Sequence, residues 1–180
     1  MHFSIIQNCF RNLFAAIALI LAMSTSLFAG HSAPPLVTSE WLKDNLYKNS
    51  LVIIDTRSKN EYLQNHIVGA INLPVAASFK MDNLHNKVIS LSEIKALLSN
   101  AGIKNNHSII IYDSGIFKDS ARFFWLLSIY GHQHVSVLNG GFHTWRQAKM
   151  PITSVPRNLA RSNYIPLIGH RFITTKLGIR

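Results

Sequence analysis

Short runs of apolar residues recur along the chain without alternating polar positions, and each run is followed by a polar loop. Such runs are typical of strands that are buried on both faces of a sheet. The pattern predicts strands over residues 51–55, 107–112 and 135–138, and a brief fourth strand over 70–73 that Pro74 closes.

The segments between these strands carry helix signals. Thr38 precedes an apolar pattern that begins a helix, and Ser90 and Glu93 have capping-box spacing. Gly102 stands where a left-handed helix end is favoured. Further helices are predicted over 93–102, 120–130 and 142–148, with a short polar helix or turn over 59–65. Short buried strands that alternate with helices predict an α/β fold, a small parallel sheet with helices on both faces in a single domain.

The first 29 residues follow a different pattern. Arg11 precedes an apolar run over residues 13–23, and small residues follow it. This is the order of a secretory signal peptide, and the run is shorter than the roughly 20 residues that span a bilayer. Cleavage after Ala29 fits best, with Ser26 a second option. We therefore expect residues 1–29 to direct export to the periplasm or the medium, with membrane contact only through an uncleaved signal.

The single cysteine of the chain, Cys9, lies inside this segment. A mature chain that begins after Ala29 would contain no cysteine. Disulfides, thiolate metal sites and thiol catalysis are then excluded together for the mature protein.

The charge of the chain is strongly basic. Lys and Arg number 18 against 8 Asp and Glu, which gives a formal net charge of +10. An excess of positive charge attracts anionic partners but does not indicate whether they are small oxyanions, a membrane surface or nucleic acid. The basic residues are scattered rather than clustered, and export also argues against a nucleic-acid partner, so none is expected.

Ligands of open α/β sheets bind at the carboxyl ends of the strands. Here that rule selects three places: residues 55–57, the loop after Tyr112, and the turn 139–141. The loop after Tyr112 is the most suggestive, because it runs into a helix whose unpaired amides attract anions and would stabilise a thiolate.

Several segments in this order resemble the rhodanese family of sulfurtransferases, over residues 36–154. They are LVIIDTR (51–57), EYLQNHIVGAINLP (61–74), SIIIYDSG (108–115) and SARFFWLLSIYGHQHVSVLNGGFHTW (120–145). The resemblance implies a small doubly wound α/β domain, in agreement with the strand and helix pattern. Residues 155–180 are basic and irregular and would form a tail or a truncated linker.

The resemblance also implies that a nucleophilic cysteine follows the strand that ends at Tyr112, and Asp113 stands there instead. In this respect, and in Arg122, the chain is similar to the non-catalytic N-terminal half of two-domain thiosulfate or 3-mercaptopyruvate sulfurtransferases. A carboxylate cannot form a persulfide, so no residue is expected to be catalytic. Lys118 and Arg122 are candidates to offset the charge of Asp113. The candidate binding residues are Arg57, Asp113, Ser114, Gly115, Lys118 and Arg122.

Two hypotheses about function stay open at this point. In one, the chain is a non-catalytic rhodanese-like module that binds a thiosulfate-like small anion or a protein partner. In the other, it is the N-terminal half of a two-domain sulfurtransferase whose catalytic rhodanese domain is missing or separately encoded. Neither hypothesis needs a cofactor or a metal ion.

Several other polar residues have structural interpretations. Asp55 is expected to cap main-chain amides, whereas Arg57 either shapes an anion site or pairs with Glu61. A turn-stabilising hydrogen bond is expected for His66. Because no base is placed beside them by the sequence, Ser114 and Ser120 are poor candidates for nucleophiles. Three histidines, His132, His134 and His143, are expected in surface or loop positions rather than at a metal ion.

Overall fold

The computed structural model describes residues 33–82 and 85–168, and for residues 81, 82, 85 and 86 it describes the main chain only. The predicted signal peptide, Cys9 and the end of the tail from 169 onward lie outside the described residues. Within the described part of the chain, no helix is long and apolar enough to cross a membrane.

Five parallel strands form the central sheet: β1 (Leu36–Val37), β2 (Leu51–Asp55), β4 (Ala70–Asn72), β7 (Ser108–Tyr112) and β8 (Val135–Leu138). Their order across the sheet is β1-β8-β7-β2-β4. The outer strands are short and the inner ones are longer, and the predicted strand positions are confirmed for the four strands that the pattern indicated.

The described residues also form two small sheets of two strands each, which the sequence pattern did not predict. Antiparallel pairs join β3 (His66–Ile67) to β9 (Ile152–Thr153), and β5 (Phe79–Asp82) to β6 (His85–Val88). β3 and β9 have two residues each and are too short to show a period of two, whereas β5 (FKMD) and β6 (HNKV) are too polar to show an apolar run.

In the described part of the chain, five α-helices cover the sheet, and a 3₁₀ turn over Val75–Ser78 precedes β5. Two helices begin at the caps that the sequence indicates: Thr38 accepts a hydrogen bond from the Trp41 amide, and Ser90 with Glu93 forms the capping box. A second capping box joins Ser58 to Glu61. The helices are α1 (Ser39–Asn45), α2 (Lys59–Gln64), α3 (Leu91–Asn100), α4 (Lys118–Ile129) and α5 (Gly141–Gln147).

The apolar strands divide their side chains between two cores, one on each face of the sheet. Val52 and Ile54 of β2 face the core that contains α3 and α4, whereas Leu51 and Ile53 face the core that contains α1, α2 and α5. The same alternation holds along β7. This is the parallel α/β sandwich that the pattern predicts, with both faces of the sheet covered.

The described part of the tail has no regular secondary structure, as expected, yet it packs against the domain. Tyr164 is fully buried in the core beside α3 and α4. Its main-chain amide donates to the Ser99 hydroxyl, and the neighbouring Ser162 donates to the carbonyls of Ser99 and Ile103. Farther along, the Leu167 amide donates to the Tyr130 carbonyl (3.0 Å), so the tail stays in contact with the domain well beyond residue 154.

Register places the ends of the central strands side by side. Asp55, the last residue of β2, pairs with Tyr112 of β7 on one side and with Asn72 of β4 on the other. The loops that leave these strands are consequently neighbours, and the candidate site lies at this carboxyl edge.

Candidate functional site

The loop after β7 is organised around the buried carboxylate of Asp113. One oxygen, Oδ1, accepts hydrogen bonds from the amides of Gly115 (2.8 Å) and Phe117 (3.4 Å). The other, Oδ2, accepts from both the amide (3.2 Å) and the hydroxyl (3.0 Å) of Ser120. The loop is thus the cradle of amides that the sequence predicts, but the side chain of Asp113 itself occupies it.

Main-chain amides and the Ser120 hydroxyl, rather than a basic side chain, are the groups that bond to this carboxylate. Among the residues that the structure describes, no salt bridge joins Asp113 to a basic side chain. Lys118 is exposed, and the guanidinium of Arg122 lies over the ring of Phe79, 4.4 Å from its centroid. Neither side chain pairs directly with Asp113 among the described residues, and a longer-range offset of its charge by Lys118 and Arg122 stays a prediction. Amides at the start of α4 supply the compensation.

The start of α5 fixes the path of this loop. The amides of Phe142 and His143 donate to the carbonyls of Asp113 (2.8 Å) and Ser114 (3.1 Å). Gly141 has a φ of +53°, and a Cβ there would lie 2.6 Å from the Asp113 carbonyl oxygen. Only glycine permits this approach, so the turn after β8 holds the loop after β7.

Asp55 and Arg57 form a buried ion pair beneath the site. The Nε of Arg57 donates to Oδ1 of Asp55 (3.0 Å), and its Nη2 donates to Oδ2 (2.6 Å). The Tyr112 hydroxyl also donates to Oδ2, and the main-chain amide of Arg57 donates to Oδ1. Asp55 thus caps an amide as expected, and Arg57 pairs with Asp55 rather than with Glu61, whose carboxylate bonds to Ser58.

Burial opposes ionisation in this cluster. Burial raises the pKa of Tyr112 well above its usual range, and the neighbouring carboxylate of Asp55 adds to the effect. Burial also disfavours the charge on Arg57, but the hydrogen bonds and the charge of Asp55 more than offset it and raise the pKa of Arg57. The cluster therefore keeps one negative and one positive charge beside a neutral phenol.

A cavity of about 570 Å³ opens above this ion pair at the carboxyl edge. It brings Arg57 and Ser114 together with two residues of α5 that the sequence did not select for binding, His143 and Arg146. The guanidinium of Arg57 forms the floor, lying 3.8 Å from the centroid of the Phe142 ring. Lys118 and Arg122 do not line this cavity, so the six candidate residues do not form one site.

These features, a parallel sheet and a strand-loop-helix cradle at its carboxyl edge, coincide with a match to a known family. The sequence model of one protein family, the rhodanese-like domain, matches residues 38–148, which is more than half of the chain. The chain belongs to the rhodanese-like domain family. The resemblance found in the sequence is thereby confirmed.

Curated relatives of this rhodanese-like domain are named as sulfurtransferases. Thiosulfate/3-mercaptopyruvate sulfurtransferase 2 of Arabidopsis thaliana is 30% identical over 155 residues, covering 77% of this chain and 45% of that protein. Thiosulfate sulfurtransferase of Rattus norvegicus is 28% identical over 137 residues, covering 67% and 46%. The chain spans about half the length of the curated relatives it matches.

Solved structures agree on the fold. The rhodanese-like domain superposes on SseA from Escherichia coli, described as a 3-mercaptopyruvate sulfotransferase, with a TM-score of 0.74 at 20% identity. The match covers 82% of this chain and 60% of that one. A 3-mercaptopyruvate sulfurtransferase from Leishmania major gives a TM-score of 0.65 at 19% identity, covering 78% and 43%.

The histidines of the rhodanese-like domain divide into two kinds. His66 is buried and bonds to the carbonyls of Tyr62 (2.6 Å) and Val155 (3.1 Å), which confirms its structural role. His134 and His143 are exposed as expected. His132 lies in the loop between α4 and β8, within the expected surface or loop positions, but its side chain is buried between Tyr164 and the carbonyl of His107. Among the described residues, no group of three or more His, Cys, Asp or Glu could hold a metal ion.

The sequence offered a signal for the residues of α5 that line the cavity. The turn 139–141 was selected as one of three ligand-binding places, and His143 and Arg146 follow it within two turns of helix. His143, Arg146 and Gln147 do mark a polar face of α5 at helical spacing. What the pattern lacked was the neighbour of that face, since it does not show that the face lies beside Arg57 and the loop after β7.

Proposed function

We propose that this rhodanese-like domain does not itself transfer sulfur and that it serves as a binding partner of a cysteine-bearing rhodanese domain. The observation that carries the proposal is the carboxylate of Asp113 at the centre of the loop after β7. Sulfur transfer through a persulfide needs a thiolate at the reacting position, and a carboxylate has no equivalent chemistry.

The hydrogen bonds of Asp113 support this proposal beyond the identity of the residue. Its two oxygens use the amides of Gly115, Phe117 and Ser120, which are the groups that would stabilise a thiolate or an incoming anion in the cradle. An external anion in the same place would have to displace a covalently tethered carboxylate and would be repelled by its charge.

An exposed apolar residue on the same loop gives a position at which a macromolecular contact can be tested. Ile116 is 70% exposed and lies between Gly115 and Phe117, next to the buried carboxylate. Single exposed aliphatic side chains are common on protein surfaces, so Ile116 marks where a partner is tested and is not itself evidence for one. The curated relatives are about twice as long as the matched region, which supports a second rhodanese domain as that partner.

The cavity above Arg57 favours a second candidate function, the binding of a small oxyanion such as thiosulfate. Ser114, His143 and Arg146 supply a hydroxyl, an imidazole and a guanidinium at its walls. Because Asp55 pairs with Arg57 and Glu61 also lines the cavity, the local charge is nearly balanced, and we rank this candidate below the protein partner.

A thiosulfate:cyanide sulfurtransferase assay on the full chain tests the first part of the proposal, with an active rhodanese domain as positive control. We expect no thiocyanate above the uncatalysed rate from the chain or from Cys9→Ser. Asp113→Cys should restore little activity, because residues 114–120 are not an active-loop sequence. Turnover by the unmodified chain contradicts the proposal, and its loss in Cys9→Ser would identify the thiol responsible.

Binding is tested with a cysteine-bearing rhodanese domain encoded in the same genome, by calorimetry with the full chain. Ile116→Asp should weaken the complex, since it places a charge in an apolar contact. Tyr47→Asp is the matched control, because Tyr47 is 83% exposed and lies after α1. Equal affinity of both variants, or no complex at all, contradicts the partner role.

We also propose that the protein is exported, which rests on the apolar run over residues 13–23 and the small residues before Gly30.

A further inference from the structure

A second cavity, of about 760 Å³, lies beside the outer strand β4. It shares no lining residue with the cavity at the carboxyl edge. Helices α2 and α3, the chain after β4 and the tail over 156–159 form its walls. Its volume lies in the range of sites that bind small organic ligands, about 300–1,000 Å³.

Apolar side chains supply much of the inner surface of this cavity. Leu63 of α2 is 43% exposed, and Leu97 of α3 and Leu159 of the tail are half-buried. They face the cavity from three separate elements. A ligand with an apolar body would therefore cover hydrophobic surface that the folded domain leaves accessible to water.

Two cations, Lys59 and Arg157, line the same cavity, and no Asp or Glu lines it. Within the described parts of the chain, neither cation takes part in a salt bridge. Positive charge beside accessible apolar surface, without a carboxylate to balance it, favours an anion over a neutral or cationic ligand.

The guanidinium of Arg157 is held in place before any ligand arrives. Its main-chain amide donates to the Tyr62 hydroxyl (3.0 Å), and its Nη1 donates to the Gly69 carbonyl (2.7 Å). An arginine has five N–H donors in a planar fork, so most of them stay available after this one side-chain bond. A positioned guanidinium is well suited to a planar carboxylate.

We propose that this cavity is a binding site for a small amphiphilic carboxylate. The carboxylate lies against Arg157 and Lys59, and the apolar body lies on Leu63, Leu97 and Leu159. The site is independent of sulfur transfer and of the loop that carries Asp113. Its position beside the tail also makes the ligand a link between the tail and helices α2 and α3.

Octanoate is the probe, and octan-1-ol is its uncharged counterpart of equal chain length. Amide chemical shifts of the ¹⁵N-labelled full chain are followed during titration with each. We expect octanoate to shift the amides of Lys59, Gly69 and Asn158 and to bind at least about tenfold more tightly than octan-1-ol, which corresponds to one charge-assisted contact.

Arg157→Gln should weaken octanoate about tenfold and Lys59→Gln about threefold, while neither should alter the affinity for octan-1-ol. Lys149→Gln removes an exposed cation that does not line the cavity and is the control. Lys59 is exposed, so Lys59→Gln should keep the fold even if Arg157→Gln loosens the tail, and thermal unfolding of each variant checks this.

Three results would overturn the proposal. Equal affinity for octanoate and octan-1-ol would remove the role of charge. Octanoate affinity that is unchanged in both Arg157→Gln and Lys59→Gln would remove the role of these cations. Shifts centred on Ser114 and His143 would place the ligand in the other cavity.

Discussion

At the scale of single residues, the side chain of Asp113 organises the loop after β7. A loop of main-chain amides before a helix is a general anion site. Here the anion is part of the chain, and both of its oxygens already have donors. The acid therefore stabilises the loop that surrounds it.

Asp113→Asn should lower the free energy of unfolding by about 1–3 kcal/mol, because an amide NH₂ would face donors where a carboxylate oxygen now accepts. Urea denaturation measures the change. Ser114→Ala, at an exposed neighbouring position, should change it by less than about 0.5 kcal/mol. Equal stability of Asp113→Asn and the parent chain would mean that the four hydrogen bonds contribute nothing net.

Tyr112→Phe tests the buried cluster beneath the site. The hydroxyl donates to Asp55 Oδ2 (2.6 Å) and accepts from the Ile67 amide (3.2 Å), so its loss leaves that buried amide without this acceptor. We expect a loss of about 1–3 kcal/mol of unfolding free energy in urea. Tyr47→Phe, at an exposed tyrosine, should be neutral, and an equal effect of both would contradict the role of the cluster.

Sequence reasoning predicted some of these residues and missed others for physical reasons. Asp55 ends one apolar strand and Asp113 directly follows another, so their place at the carboxyl edge could be predicted. The pairing of Arg57 with Asp55 rather than Glu61 depends on the direction of one long side chain, and the apolar pattern does not encode it. The same holds for Arg122, whose partner Phe79 lies on the unpredicted strand β5.

At the scale of elements, the tail is the feature that local pattern could not predict. It has no period, because its contacts are made by single residues such as Tyr164 rather than by a repeating face. The strands β2 and β7, in contrast, were predicted because every residue of their apolar runs is buried on one face or the other. The caps at Thr38 and Ser90 were predicted because hydroxyl and carboxylate groups act within four residues.

Two glycines allow the cost of a strained backbone to be distinguished from the cost of a collision with the tail. Gly69 and Gly102 both have positive φ, of +79° and +73°. A Cβ at Gly69 would meet only Arg157 Nη1, at 3.5 Å, whereas one at Gly102 would collide with Leu159 and lie 2.7 Å from the Ala160 carbonyl oxygen. Gly69→Ala should cost about 1–2 kcal/mol, and Gly102→Ala at least about 1 kcal/mol more.

Urea denaturation of both alanine variants gives the difference. Protease cleavage in the tail should also accelerate in Gly102→Ala and not in Gly69→Ala, because only the first pushes the tail away. Equal losses of stability in the two variants would contradict a tight tail contact.

The tail also gives the domain a dependence on pH. His132 Nδ1 lies 3.0 Å from the Tyr164 hydroxyl, and its Nε2 lies 2.9 Å from the His107 carbonyl. Burial lowers the pKa of His132, the His107 carbonyl partly offsets this, and the neighbouring His134 and His107 lower it further. The folded protein therefore prefers neutral His132, whereas the unfolded chain takes up a proton near pH 6.5.

We expect unfolding free energy to be highest above pH 6.5 and to fall as the pH drops below it, until the lower pKa of the folded state is passed. His107, whose pKa is also lowered by burial, contributes in the same direction. His132→Gln should reduce the slope between pH 6.5 and 5 in urea titrations, and His134→Gln, at an exposed position, should reduce it little. An unchanged slope in His132→Gln would contradict this assignment.

At the scale of the whole molecule, the proposed signal peptide decides whether any thiol is present. If export removes residues 1–29, the mature protein begins at Gly30 and lacks Cys9. N-terminal sequencing of the exported protein should then start at Gly30, and a thiol reagent should add no mass to it. A mature protein that retains Cys9 and reacts with the reagent would contradict the proposal.

The lengths of the five sheet strands have a consequence for self-association. Edge strands display unpaired main-chain groups that can recruit another copy of a chain, and long edges are aggregation hazards. Here β1 contributes two residues and β4 three, and at β4 the carbonyls of Gly69 and Ala70 already accept bonds from Arg157 and Tyr62. The most β-prone segments, β2 and β7, are enclosed by these outer strands, so the domain offers little template for amyloid-like growth.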